Sequence, residues 1–194
     1  MSAIHTPPLH RWSYEEWDQM VESGVLARKR VELIDGEIVE MAPQSEPHSI
    51  SILGTASRLR RIFPEPDFWI RVQMPLRLGR ASDPEPDLAV VDGPLDAYIN
   101  SGHPPDALLV VEVSDDSLRY DRNTKASLYA SAGIADYWII NLPQRQCEVH
   151  RKPVRDSKTK FGWRYDEIEI LKPGDSVTPL AAKRKSIKVA DILP

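Results

Sequence analysis

The stretch "DALLVVEVSDDS", residues 106–117, decides the fold class of this chain. Residues 107–113 are apolar at successive positions except for Glu112, a pattern typical of a central strand whose two faces are both covered. A second short apolar run follows Asp87 directly in "ASDPEPDLAVVDG", residues 81–93. Burying an unpaired carboxylate is costly, so the positions of these two acids need an explanation.

The remaining predicted elements surround these two strands. A first helix is expected over about Tyr14 to Ser23, with a capping box formed by Ser13 and Glu16. "VELIDGEIVEM", residues 31–41, predicts a tight hairpin that turns at Asp35-Gly36 and places Glu32 opposite Val39 on a partly apolar face. The other expected elements are a helix over Pro47 to Phe63, strands in "FWIRVQM" and "DYWIINL", a helix over about Arg122 to Ala132 capped by Asp121, and two outer strands, "CEVHR" and "WRYDEIEIL", around a solvated loop, "RKPVRDSKTK".

The helices and strands along the chain predict one α/β domain over residues 1–194. The chain has 194 residues, a net charge of −4 and a pI near 5.8, so a site for a polyanion would have to be a local patch. A single cysteine, Cys147, fits a reducing compartment, and no stretch resembles a signal peptide or a membrane span. We expect a cytoplasmic protein without membrane contact.

Three acids, Glu32, Asp87 and Glu112, lie on or beside predicted inner strands. If the strands of Asp87 and Glu112 are neighbours, their carboxylates meet on one face, where they repel each other. A hard divalent cation removes that penalty, since Mg²⁺ is typically held by one or two carboxylates, waters and phosphate oxygens. Such a site activates water and stabilises charge that develops on a phosphoryl group.

Lys125 is the candidate cation of this site. Leu128, Tyr129 and Ala132 follow it at spacings of three, four and seven residues, so Lys125 shares the helical stripe that faces the sheet. Because the strand that contains Glu112 leads into this helix, the ammonium can reach that acid. A buried salt bridge between Lys125 and Glu112, without any metal, satisfies the same pattern.

The chain is similar to the Uma family of endonucleases, which belongs to the PD-(D/E)XK nuclease superfamily. The resemblance is carried by five blocks in order, from about Tyr14 to Leu142: "VELIDGEIVEM", "PEPDLAVV", "LLVVEVS", "YDRNTK" and "YASAGIADYW". It implies a restriction-endonuclease-like fold, with a central mixed sheet flanked by helices, and a Mg²⁺- or Mn²⁺-dependent nuclease.

The resemblance also implies roles for particular residues. Asp87 and Glu112 are the implied metal ligands, Glu32 contributes from the first hairpin, and His48 resembles a family position at the start of the second helix. The superfamily's usual lysine lies two residues after the second acid, where this chain has Ser114. In the Uma-like arrangement the lysine comes from the next helix, which indicates Lys125.

The expected function is hydrolysis of phosphodiester bonds in DNA. Three groups of basic residues are candidates for phosphate contacts, although such runs are usually solvated loops: Arg58 and Arg61; the run Arg151 to Lys160, with Arg151, Lys152, Lys158 and Lys160; and "KRKSIK", residues 183–188. A homodimer is an expectation by analogy, since two cuts in a duplex need two sites. The alternatives are a catalytically inactive nuclease-like module that binds nucleic acid or another partner, and a metal-dependent hydrolase of a smaller phosphoester.

Overall fold

A six-stranded sheet forms the centre of the computed structural model, which describes residues 8–100 and 102–194. Its strands follow the order β3-β4-β5-β6-β7-β8, and only the β5–β6 pair is parallel. The strands are β3 (Phe68–Val72), β4 (Leu88–Asp92), β5 (Leu109–Ser114), β6 (Asp136–Asn141), β7 (Gln146–Arg155) and β8 (Trp163–Leu171). The predicted α/β class with a mixed sheet is confirmed.

The other elements lie around this sheet. The helices are α1 (Tyr14–Glu22), α2 (Glu46–Ile62), α3 (Leu118–Tyr120) and α4 (Ala126–Ser131), with a π-helical turn at Asp121–Lys125 and 3₁₀ turns at Leu180–Ala182 and Val189–Asp191. Two small antiparallel pairs complete the fold: β1 (Val31–Ile34) with β2 (Glu37–Glu40), and β9 (Ser176–Val177) with β10 (Ile187–Lys188). No helix in the described ranges is both long and apolar enough to cross a membrane.

Strand β5 separates two hydrophobic cores because successive side chains point to opposite faces of a sheet. Leu109, Val111 and Val113 pack on the face covered by α2 and the C-terminal residues. Val110 packs on the other face, which α4 covers. Glu112 belongs to the same alternating set as Val110 and therefore points toward α4.

The N-terminal predictions are confirmed in detail. Helix α1 begins after a capping box in which the Ser13 side chain accepts from the backbone of Glu16 and the Glu16 side chain accepts from the backbone of Ser13. The first hairpin has the expected register, with Glu32 opposite Val39. Asp35 and Gly36 both have positive φ, 54° and 73°, which is the backbone geometry of a type I′ turn.

The prediction for residues 147–171 was partly wrong. Strand β7 continues through Arg155, so half of the expected solvated loop is strand. Strand β7 lies between β6 and β8 and is not an outer strand, whereas β8 is the edge of the sheet. The polar composition of this segment concealed the strand because the outer half of β7 lies beyond the covered part of the sheet and carries exposed or half-buried side chains.

Candidate active site

Asp87, immediately before β4, and Glu112, on β5, lie next to each other. The antiparallel register that pairs Leu88 with Val111 extends to them. The Asp87 backbone N–H donates to Glu112 Oε2 at 3.2 Å, and the Val113 N–H donates to Asp87 Oδ2 at 2.8 Å. The structure therefore places the two sequence-predicted acids side by side, where the sheet itself fixes their side chains.

Lys125 bridges the other two members of the predicted set. Its Nζ donates to Glu32 Oε2 at 2.6 Å and to Glu112 Oε1 at 3.2 Å. The three side chains are only 2–8% exposed. Burial alone would lower the pKa of Lys125, but the carboxylates of Glu112 and Glu32 outweigh burial and raise it above its ordinary value. Lys125 is therefore a permanent cation at the site.

Burial disfavours the ionised form of Glu112. Burial, together with the negative charge of Asp87, raises its pKa to about 8, although the ammonium of Lys125 and a hydrogen bond from Tyr129 oppose this shift. The Tyr129 hydroxyl donates to Glu112 Oε1 at 2.6 Å. The sequence indicated Tyr129 only as part of the inward helical stripe, and nothing in its spacing marked it as a partner of Glu112.

The helix that carries the lysine contains the π-helical turn Asp121–Lys125, in which the Ala126 N–H donates to the Asp121 carbonyl five residues earlier. The predicted helix cap at Asp121 is wrong. Asp121 has helical backbone angles, φ −67° and ψ −41°. Its carboxylate Oδ2 accepts instead from the hydroxyls of Ser114 at 2.6 Å and Ser117 at 2.5 Å.

His48 and Gln73 both contact Asp87. His48 lies in the first turn of α2, and its Nε2 is 3.2 Å from Asp87 Oδ1. Gln73 Nε2 donates to the same oxygen at 3.2 Å. Sequence reasoning missed Gln73, because it follows β3 in an alternating pattern where a polar residue is expected to face solvent. Its left-handed backbone, φ 49°, turns it toward the site.

A cavity of 460 Å³ opens onto these residues. Its acidic side chains outnumber its basic ones, which are Arg30 and Lys125. Glu85 is one of the acids that sequence reasoning missed; its N–H donates to Glu32 Oε2 at 3.2 Å. Burial and the nearby charge of Glu32 raise the pKa of Glu85. The acidic lining comprises Glu32, Glu40, Glu85, Asp87, Glu112, Asp115, Asp116 and Asp121.

The carboxylates of Asp87 and Glu112 suit a cation that binds few protein ligands. Within residues 8–100 and 102–194, no three His, Cys, Asp or Glu side chains form a ready metal cluster. Two adjacent carboxylates, Asp87 and Glu112, nevertheless line an open cavity that holds an excess of negative charge. Mg²⁺ commonly uses one or two carboxylates and retains several waters. These residues therefore fit Mg²⁺ or Mn²⁺ and do not resemble a closed zinc site.

The basic residues predicted to bind phosphates lie apart from this cavity, and none of them lines it. Arg151 donates to Asp136 Oδ1 at 2.8 Å and to the Thr178 carbonyl at 2.6 Å, so its guanidinium already has protein partners. Three lysines complete the group and are at the surface: Lys152 pairs with Glu167, Lys160 pairs with Glu37, and Lys158 is exposed.

Comparison with known proteins identifies the family of this chain and a solved structure of similar fold. Residues 14–188 match the family Uma2, described as "Putative restriction endonuclease". The fold is similar to the crystal structure of a putative nuclease belonging to DUF820 from Anabaena variabilis ATCC 29413, with a TM-score of 0.63 and 16% sequence identity. The similarity covers 84% of this chain and 88% of that one. No curated protein gives a significant match.

Proposed function

Because the chain belongs to the Uma2 family, whose description is "Putative restriction endonuclease", we propose that it is a metal-dependent endonuclease that hydrolyses phosphodiester bonds of DNA. One observation carries this proposal: Asp87, Glu112 and Lys125 converge on one cavity. Phosphoryl transfer needs positioned oxygen ligands for a cation and a positive group for the charge that spreads over the phosphoryl oxygens. The cavity supplies both.

Asp87 and Glu112 would hold Mg²⁺ or Mn²⁺, and Glu32 would assist from the hairpin. The bound ion supplies charge neutralisation and a lower pKa for a coordinated water. In the overall reaction a water oxygen forms a bond to phosphorus, the P–O bond to the leaving sugar oxygen breaks, and that oxygen takes up a proton as the water loses one.

Lys125 has two roles in this proposal. Its positive charge offsets the repulsion between the carboxylates of Asp87 and Glu112, and it lowers the pKa of Glu112 against the raising effect of burial. An ammonium has three N–H donors, and two of them have acceptors among the described residues, Glu32 and Glu112. The third is left for a water or a phosphoryl oxygen in the cavity.

His48 and Gln73 orient the first acid. Both contact Asp87 Oδ1, while the backbone N–H of Val113 holds Oδ2. A carboxylate fixed at both oxygens does not have to reorganise during the reaction, which is the electrostatic preorganisation that favours catalysis. His48 is therefore proposed as a positioning residue and a contact to the substrate.

The substrate contacts outside the cavity are proposed at Lys152, Lys158 and Lys160, whose ammonium groups are near the surface. Arg151 belonged to the same predicted set, but its bonds to Asp136 and Thr178 favour a structural role. A homodimer would supply the second active site that a double-strand cut requires. It stays a prediction, testable by analytical ultracentrifugation.

A second candidate function, a nuclease-like binding module without turnover, is favoured by one feature. The ion pairs of Lys125 with Glu32 and Glu112 satisfy these three buried charges without a metal. In that case the acids would stabilise the fold and hydrolyse nothing.

Cleavage of supercoiled plasmid separates the two functions. We expect nicking with Mg²⁺ or Mn²⁺, none with chelator, and a loss of about a thousandfold, on the order of 4 kcal/mol, in Asp87→Asn. Asp92→Asn is the matched control, since Asp92 ends the same strand and is exposed. Plasmid that stays intact with the parental protein under every metal, while the protein still binds DNA, would favour the binding module.

A further inference from the structure

Tyr120 contributes a hydroxyl that no residue among 8–100 and 102–194 bonds. Tyr120 ends helix α3 immediately before the π-turn and lines the same cavity as Lys125. Its hydroxyl oxygen is buried and has no hydrogen-bond partner in the parts of the chain that the structure describes. Buried polar atoms nearly always have a partner, so one that lacks a partner in a residue that lines a cavity points to a ligand.

The π-turn explains how Tyr120 and Lys125 come to face the same cavity. In an α-helix, residues five apart are rotated by about 140° and point in different directions. The π-turn instead closes a hydrogen bond over five residues, from the Ala126 N–H to the Asp121 carbonyl, which brings residues five apart onto one side. Single π-turns inside helices often occur at functional sites. The buried Tyr137 hydroxyl supports this one by donating to the Asp121 carbonyl at 3.2 Å.

The chemistry of the surroundings makes Tyr120 a hydrogen-bond donor. Burial, together with the negative charge of Glu32, raises the pKa of its phenol above the ordinary value, so the group keeps its proton. Carboxylate acceptors are abundant in the cavity, yet none is bonded to this hydroxyl. The donor is therefore available to an oxygen that enters from outside.

We propose that the Tyr120 hydroxyl donates a hydrogen bond to a non-bridging oxygen of the scissile phosphodiester, and is thus a second catalytic donor beside Lys125. This inference rests on the proposed endonuclease function. A neutral donor suits this place because it stabilises the negative charge on the phosphoryl oxygens without adding a cation that would pair with the surrounding carboxylates.

Tyr120→Phe tests this inference, because it removes one oxygen atom. We expect kcat for DNA cleavage to fall by about a hundredfold, with an unchanged melting temperature and unchanged affinity for uncut DNA in chelator. Tyr98→Phe is the matched control: Tyr98 donates to the Asp92 carbonyl at 3.3 Å and does not line the cavity. Its cleavage rate should equal the parental rate.

Phosphorothioate substrates give a readout that a structural role would not change. Sulfur at the non-bridging position bound by Tyr120 should slow the parental enzyme more than the Phe variant, whereas sulfur at the other position should slow both equally. Parental cleavage by Tyr120→Phe would overturn the inference and leave the endonuclease proposal intact. A rate loss equal for both diastereomers, with a lower melting temperature, would assign Tyr120 a structural role. If the parental protein cuts no DNA at all, both proposals fail.

Discussion

Two buried glutamates lie in one row of the sheet, and their surroundings are opposite. Glu112 on β5 pairs with Ile139 on β6, which pairs in turn with Glu148 on β7. The Glu148 carboxylate accepts from Arg122 at 2.8 and 2.6 Å, from Asn141 at 2.6 Å and from Gln146 at 3.0 Å. Both side chains are under a tenth exposed.

The pKa values of the two acids move in opposite directions. Burial would raise the pKa of Glu148, but the neighbouring His150 ring, whose Nε2 lies 3.8 Å from Oε2, and hydrogen bonds from Arg122, Asn141 and Gln146 outweigh burial and lower the pKa. At Glu112 burial and a neighbouring carboxylate win, and the pKa rises. At Glu148 the donors outweigh burial, whereas at Glu112 the donors do not outweigh burial and the charge of Asp87. Strongly perturbed acids of the second kind cluster at functional sites.

The largest contrast is expected between two cations of the same π-turn. Lys125→Met should abolish cleavage, by about a hundredfold or more, because it removes the positive group of the site. It should also lower the free energy of unfolding by about 3 kcal/mol, since Glu32 and Glu112 would remain buried without a countercharge. Plasmid cleavage and chemical denaturation, each with and without Mg²⁺, measure the two effects.

Arg122→Met is the matched control for Lys125→Met. Arg122 is 38% exposed and contacts Glu148 rather than the cavity acids. We expect a loss of about 1–2 kcal/mol in stability, and cleavage within roughly tenfold of the parental rate. A Lys125→Met protein that cuts as fast as the parent would make Lys125 a structural cation like Arg122, and the contrast between the two glutamates would lose its functional meaning.

A smaller effect is expected at Glu148, where a substitution should change the free energy of unfolding and leave cleavage unchanged. Glu148→Gln removes a negative charge that Arg122 neutralises, so stability at neutral pH should fall by about 1–2 kcal/mol. Because the folded pKa of Glu148 is lowered, its stabilisation is complete above the unfolded pKa of about 4.3 and is lost as pH falls through the folded value.

The difference in stability between the parental protein and Glu148→Gln should therefore shrink as the pH falls below about 4. Thermal melts between neutral and acidic pH measure this. Glu169→Gln, on the exposed face of the neighbouring strand β8, is the control and should show no such trend. A difference that stays constant down to acidic pH would show that donor bonds do not hold Glu148 in its charged form.

The sequence predicted the three central residues of the cavity, Glu32, Glu112 and Lys125, better than it predicted the residues that contact Asp87 and Glu148. An acid inside an apolar run is unusual, so the sequence indicated Glu112 as a candidate site residue. The helical spacing of Lys125 then indicated this lysine as the partner of Glu112. The hairpin signal Asp35-Gly36 set the register that brings Glu32 inward. These features are local in the chain, and local patterns can be read without knowing the fold.

Other features depend on contacts between distant segments, which no local pattern reports. Asp121 was expected to cap a helix because its residue type favours that position, but Ser114 from β5 provides a better partner. Gln73 contacts Asp87 from 14 residues away. The network around Glu148 escaped prediction because "CEVHR" alternates polar and apolar residues in the way that a half-exposed strand does.

The smallest expected effect concerns the lysines beyond the site. Lys152, Lys158 and Lys160 lie on or near the β7–β8 hairpin, and two of them pair with exposed acids. Surface ion pairs contribute little to stability, so replacing all three lysines with Ala should leave the melting temperature nearly unchanged.

If each of the three lysines neutralises one phosphate, the slope of log affinity for duplex DNA against log salt should flatten by up to about 3, since each contact releases about one counterion. Arg151 is kept in this variant because its loss would leave the buried carboxylate of Asp136 without its ion pair. Binding titrations at several salt concentrations, in chelator to prevent cleavage, measure the slope. An unchanged slope would show that these lysines do not contact phosphates. DNA recognition would then be restricted to the neighbourhood of the cavity, where Lys125 and Arg30 are the lining cations.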